Sequence, residues 1–289
     1  MNPYLLIVLA DILLALDFAF QKKYQKTAGT TIKAGLVFNA LVGVFSALVY
    51  LIINKFTIHI LPFSVLMATL FTVFVMVYVF IGFKIMEKGS MSLYTLFLMA
   101  GGMIVPFVAG VIFWDEPLSV LRVLGLLAIV GAMVISNSDG SKFDKRQILL
   151  CVLVFFLNGF VSVTAKAHQI SEAGQFVTSA DFGFIAMVTK AIICSLALLF
   201  VGKKEASPEK LPIGKGAVIS AFSAIAVGLS FFLQLVGAVS VPATVLYPMI
   251  TGGCVVLSSL AGLVFFKEKI EKRQWIAIAI CCVGTLLFL

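Results

Sequence analysis

Apolar side chains run almost unbroken along this chain, in stretches of helix length separated by short polar turns. Ten stretches can be read: 3–21, 31–53, 60–83, 91–113, 119–137, 147–165, 181–201, 216–236, 243–266 and 274–289. A helix needs about 20 apolar residues to cross the hydrocarbon core of a bilayer. Each stretch therefore predicts a membrane-spanning helix. The period-two alternation of a barrel strand is missing, which excludes a membrane β-barrel. The turns are too short for an independent domain. The longest are Lys166–Ala180 and Gly202–Lys215, the second broken by Pro208 and Pro212.

One stretch occurs twice. Its first copy reads Tyr94, Gly101, Gly102, Pro106, Gly110, Phe113, Trp114, Glu116, and its second Tyr247, Gly252, Gly253, Ser258, Gly262, Phe265, Phe266, Glu268. Gly101/Gly253, Gly110/Gly262, Phe113/Phe265 and Glu116/Glu268 share the offset 253 − 101 = 152. A second echo links Lys22-Lys23-Tyr24-Gln25 to Lys166-Ala167-His168-Gln169, at the offset 166 − 22 = 144. Self-similarity at a long period fixes architecture. The ten spans divide into two units of five, expected at residues 1–140 and 141–289. An odd number of spans per unit sets the copies in opposite orientations. The predicted fold is an all-α membrane protein with ten transmembrane helices in two inverted five-helix repeats.

Composition agrees with this reading. The 289 residues are 62% hydrophobic and 12% charged, whereas a soluble domain is about half apolar and roughly a quarter charged. The net charge of +8 does not predict nucleic-acid binding, because the basic residues sit in turns between apolar runs. Their distribution predicts orientation instead. Of 21 Lys and Arg residues, 17 lie in the odd-numbered turns, three (Lys55, Arg122, Lys166) in the even ones, and Lys190 inside a span. Cytoplasmic turns carry the basic excess, so the odd turns are expected in the cytoplasm and both termini outside. The five cysteines all fall inside apolar runs and read as small packing residues. The N-terminal run has no basic leader and is interrupted by Asp11 and Asp17, which predicts a retained helix.

The duplicated five-helix unit resembles the drug/metabolite transporter superfamily, specifically its ten-helix EamA-type members. The residues that carry the resemblance are the glycine- and proline-rich run Tyr94–Trp114, the turn Asp115-Glu116-Pro117-Leu118, Gly125 and Gly131 after it, and in the second copy Phe265-Phe266-Lys267-Glu268 and Gly284. The opening Met1-Asn2-Pro3-Tyr4 and the Lys22 exit also resemble the four-helix small multidrug resistance proteins. Those have a membrane-embedded glutamate near the middle of helix 1. This chain has Leu14 there, with Asp11 and Asp17 three residues to either side. The superfamily resemblance implies transport, for substrates ranging from amino acids and sugars to drugs and lipid-linked sugars.

Candidate functional residues are the polar groups inside spans, since an ionisable residue in hydrocarbon marks a pathway or has a partner. Asp11 and Asp17 lie six residues apart, about 240° around a helix. Lys190 lies near the middle of the seventh run, and one of Asp11 and Asp17 is expected to balance it, depth favouring Asp11. Asn39, Tyr94, Asn158, Gln234, Tyr247 and Thr251 supply uncharged hydrogen-bonding groups. These nine residues are the expected substrate site. Gly102, Pro106 and Gly110 share one face of the fourth run, matched by Cys254, Ser258 and Gly262 in the ninth. Small residues at this spacing let helices approach closely. Pro106 with its glycines also makes a joint, and both readings put runs 4 and 9 at the centre. Glu116 is expected to favour the start of the following helix, Arg122 to pair with a local acid, and Tyr24 and Trp275 to anchor at the interface.

No nucleotide-binding, hydrolase or metalloprotease motif appears, and His59 and His168 are isolated. The expected function is a secondary transporter of a small metabolite or amphipathic compound across the cytoplasmic membrane by alternating access, needing no cofactor and no metal. Its partners are the lipid bilayer, a small-molecule substrate, and protons or a counter-substrate, without nucleic acid, as a monomer or homodimer. The alternatives are a lipid-linked sugar flippase, a membrane-embedded enzyme and a non-transporting scaffold.

Overall fold

A backbone amide in hydrocarbon has no water to bond, and a helix satisfies its amides within one segment. The computed structural model describes residues 3–29, 31–86, 91–137, 145–201, 213–267 and 270–289, with no strand among them. Ten α-helices follow in chain order: α1 Pro3–Ala28, α2 Ile32–Ile53, α3 Pro62–Met86, α4 Met91–Phe113, α5 Val120–Asn137, α6 Lys145–Ile170, α7 Ser179–Phe200, α8 Ile213–Ser240, α9 Ala243–Phe266 and α10 Lys272–Leu286. A 3-10 turn, Glu172–Gly174, precedes α7. Eight of these helices are long and apolar enough to span a bilayer. Helices α5 and α10 are shorter, at 18 and 15 residues.

Three helices outrun their apolar stretches. Helix α1 continues past 21 to Ala28, α6 past 165 to Ile170, and α8 runs from Ile213 to Ser240. Gln21–Lys26 are mostly good helix formers, and hydropathy measures the depth of hydrocarbon, not the length of the helix. Helix α1 stops at Gly29, whose φ is +83°. The expected turn 166–180 consequently begins only after Ile170. Of the expected turn Gly202–Lys215, residues 202–212 lie outside the described residues, as do Met1, Asn2, Lys88, Lys142, Glu268 and Lys269.

Packing interleaves the two halves. Helix α1 packs chiefly on α8, α2 on α7, α4 on α6, and α5 on α10. Exchanging the halves maps α1·α8 onto α6·α3, α4·α6 onto α9·α1, and α2·α8 onto α7·α3, while α4·α9 maps onto itself. All of these pairs are in contact. The duplicated stretch also ends the same way twice. Asp115 and Lys267, 152 positions apart, both adopt the left-handed conformation, at φ 50° and 53°. That conformation costs a non-glycine residue roughly 1–2 kcal/mol.

Large apolar side chains such as Ile112, Phe113, Leu199 and Phe200 point outward, as lipid as solvent allows. At one end of the bundle the α2–α3 turn is tied to α7. The buried Asp181 carboxylate accepts from Asn54 Nδ2 at 2.6 Å and from the Thr178 amide and hydroxyl at 2.9 Å each.

Candidate functional site

Helix α8 lies between α1 and α2 and joins them through hydroxyls. Its Ser223 and Ser230 are fully buried. The Ser230 hydroxyl donates to the Ala10 carbonyl at 2.7 Å, and the Ser223 hydroxyl to the Asp17 carboxylate. From α2, Ser46 Oγ donates to the Ala224 carbonyl at 3.0 Å and Tyr50 Oη to the Gly228 carbonyl at 2.7 Å. Interhelical hydrogen bonds of this kind hold helices together where no hydrophobic effect operates between them. Ser223 and Ser230 are seven residues apart, a spacing that places both on one face, and that was the available sequence signal.

Beside this interface is a cavity of about 400 Å³, walled by α1, α3, α4, α6, α7, α8 and α9. The nine expected site residues fall on α1, α2, α4, α6, α7, α8 and α9; α3 joins the wall with Thr72 and Tyr78, and α2 is absent from it. Of the expected site residues, Asn158, Lys190, Gln234, Tyr247 and Thr251 meet here, with Gly102. The wall between α4 and α6 is built on glycine. A Cβ on Gly101 would overlap the Phe155 backbone, one on Gly159 would overlap Val105, and one on Gly102 would lie 2.5 Å from Asn158 Nδ2. That closeness lets Asn158 Nδ2 donate to the Leu98 carbonyl at 2.7 Å and Ser162 Oγ to the Gly102 carbonyl at 3.2 Å. Tyr247 Oη crosses from α9 to the Ser162 carbonyl at 2.6 Å.

The small-residue face thus divides between neighbours. Gly102 faces α6, whereas Gly110 faces Glu116 and Thr244 at the start of α9. Pro106 is buried inside α4, and α9 carries its own internal Pro248. Ser258 and Gly262 are half-buried, with the Ser258 hydroxyl bonded to Val255 O of its own helix at 3.3 Å.

Lys190 lies midway along α7, half-buried, and is the one charged side chain lining the cavity among the described residues. Neither Asp11 nor Asp17 lies within ion-pair distance, 4 Å, of its ammonium among the described residues; the charge of Asp17 reaches it only at longer range. Asp17 is buried on α1 beside Ser223, behind the wall. Asp11, about 240° around α1, packs against Gly253, and its Oδ1 has no hydrogen-bond partner among the described residues. The rotation of α1 thus turns Asp11 toward α9 and Asp17 toward α8. Asn39 bonds the Gly35 carbonyl of its own helix at 2.9 Å, and Tyr94 packs on Gly82 of α3. Neither lines the cavity. Tyr24 faces the bundle, buried against Phe38 with ring centroids 4.6 Å apart. Trp275 is exposed.

Below the cavity, three side chains hold the α8–α9 turn. The Glu116 carboxylate accepts from the amides of Ala243 at 2.6 Å and Thr244 at 2.8 Å, the start of α9. It serves α9, not the following helix α5, because the left-handed Asp115 folds the chain back past Gly110. Arg122 Nη1 donates to the Pro117 carbonyl at 2.7 Å and the Thr244 hydroxyl at 3.1 Å rather than to an acid. The buried Lys166 Nζ donates to the carbonyls of Ala238 at 2.6 Å and Val241 at 2.7 Å, at the end of α8. Read as a turn residue, Lys166 is instead a helix clamp. Its echo of Lys22 was the signal that set it apart.

Residues 145–289, half of the chain, match the model of the EamA-like transporter family. The chain belongs to the EamA-like transporter family. The matched stretch is α6–α10, and the cavity of this EamA-like transporter draws on helices from both halves. No curated protein matches it. It is similar in fold to a solved structure titled "Crystal structure of protein", with a TM-score of 0.76 and 16% identity over 97% of each chain.

Proposed function

We propose that this protein is a secondary transporter that carries a small molecule through the cavity between α1, α3, α4, α6, α7, α8 and α9 by alternating access. The observation that carries this reading is Lys190: an ammonium group facing a cavity amid apolar helices, where an uncompensated charge is expensive and marks a pathway. A volume of about 400 Å³ lies within the range of small-ligand sites. The five-helix units 1–140 and 141–289 are the inverted repeats whose exchange of conformations moves the opening from one side to the other. The internal Pro106 and Pro248 let α4 and α9 bend as the cavity changes sides. Membership of a transporter family supports transport over catalysis. In the cytoplasmic membrane, the proposed location, the basic excess in the odd turns supports an orientation with both termini outside.

Solute exchange in proteoliposomes across a metabolite panel tests the reading. Exchange that Lys190→Met abolishes in a folded protein is the expected result. A folded preparation that exchanges no solute would leave a non-transporting scaffold as the better account, and scrambling of lipid-linked sugars would favour a flippase.

A further inference from the structure

Every polar side chain facing the cavity can be asked what it still has to offer. The Asn158 amide donates to Leu98, the Ser162 hydroxyl to Gly102, the Tyr247 hydroxyl to Ser162, the Thr72 hydroxyl to Ala68 and the Gln234 amide to Ser230. These donors are turned back into the protein. Tyr78 and Thr251 add uncharged hydroxyls; Lys190 differs in being the one charged side chain in the lining, with no hydrogen bond or ion pair within 4 Å among the described residues, while the Asp17 carboxylate holds the Ser223 hydroxyl outside it. The cavity therefore presents one ammonium with unused donors and no lining carboxylate. The rest of the wall is apolar, with Phe18, Phe71, Leu98, Val161, Phe231 and Ile250.

We propose that the substrate is an amphipathic organic monoanion, a carboxylate on an apolar body, whose carboxylate docks on Lys190 in competition with Asp17. This rests on the cavity being the transport site. The charge count selects within the class. A cation meets like charge. A zwitterion finds a cation for its carboxylate but no lining carboxylate for its ammonium. A phosphate dianion brings two charges to one lysine. A carboxylate satisfies Lys190 one for one, and the apolar body fills walls that offer little to a sugar. Asp17 acts as the resident counter-ion, holding Lys190 neutral overall when no substrate is bound.

The experiment uses the native cavity thiol. Cys254 lines the cavity, so a full-length variant retaining only this cysteine is treated in vesicles with a water-soluble methanethiosulfonate. Labelling is repeated with phenylacetate, 3-phenylpropanoate and 4-phenylbutanoate, with their amides and amines, and with phenylalanine and phenyl phosphate. The expected result is saturable protection by the carboxylates alone. A charge-assisted hydrogen bond implies that protection weakens about tenfold or more in Lys190→Met and Lys190→Gln, while Asp17→Asn, which removes the competitor, binds the carboxylates more tightly. Because loss of folding cannot produce tighter binding, the Asp17 variant keeps the proposal testable if the Lys190 variants unfold. Equal protection by amines or amides, no protection by any carboxylate, or carboxylate protection unchanged in the Lys190 variants overturns the anion proposal and leaves transport standing. Failure of Cys254 to label from either side, in folded protein, removes the transport site and this proposal with it.

Discussion

Glu116→Ala tests how the α8–α9 turn is held. In the wild type one carboxylate accepts two backbone amides at 2.6 and 2.8 Å, at a helix start where the dipole favours negative charge. A hydrogen bond to a charged group contributes about 1.5–3 kcal/mol. Glu116 is half-buried, so water recovers part of this in the variant, and about 2–4 kcal/mol is the expected net loss. A domain of 150–250 residues loses roughly 2–4 °C of melting temperature per kcal/mol. This longer chain falls at the low end, which gives about 4–8 °C, read by thermal unfolding in detergent. Glu116→Gln keeps one acceptor oxygen and should lose about half as much. Gly110→Ala attacks the same contact from the other side, because its Cβ would lie 2.6 Å from Glu116 Oε2. The two changes should therefore be non-additive, the double variant losing clearly less than the sum of the singles. Wild-type stability in Glu116→Ala, or simple additivity with Gly110→Ala, would refute the assignment of the carboxylate to α9.

Three further outcomes are expected. Gly101→Ala should cost about 1–3 kcal/mol by overpacking against Phe155, whereas Gly131→Ala, with nothing within 4 Å of the added carbon, should leave the melting temperature unchanged or slightly raised. A double-mutant cycle should find coupling between Asp17→Asn and Lys190→Met and none between Asp11→Asn and Lys190→Met; the reverse pattern would return Lys190 to Asp11. Reporter fusions after Lys145 should report cytoplasm and fusions at Leu289 the outside, and a cytoplasmic C-terminus would overturn the orientation without touching the fold.

The fold was legible because its two signals are collective. Twenty consecutive apolar residues leave a chain in lipid little but helix, and the 152-residue echo survives in backbone detail, where Asp115 and Lys267 take the same left-handed turn. The site was legible by depth and not by direction. Lys190, Asn158, Gln234, Tyr247 and Thr251 meet in the cavity, but Asp11, Asp17, Asn39 and Tyr94 do not line it. An amphipathic soluble helix declares its inward face through its hydrophobic stripe. Helix α1 is apolar nearly all round, so nothing in its pattern says that Asp17 turns to α8 while Asp11 turns to α9. Glu116 escaped for a related reason. A carboxylate after a helix is most simply assigned to the next helix in sequence, and only the backward turn at Asp115 delivers it to a helix that begins 127 residues later (243 − 116).

The interleaving of the halves has a consequence for biogenesis. Helix α1 is complete at Ala28, and its chief partner α8 begins only at Ile213. At the usual 5–20 residues per second, the ribosome takes roughly 10–40 s to make the chain between them. Throughout that interval Asp17 lacks the serine that holds it, since Ser223 is on α8. The nascent first half therefore enters the membrane with an unaccompanied acid and unmatched faces on α2, α4 and α5. It must linger at the translocon, at the lipid–water boundary or against an insertion chaperone until the second half emerges. Truncation after the fifth helix should accordingly yield not a small stable membrane protein but a substrate for membrane quality control.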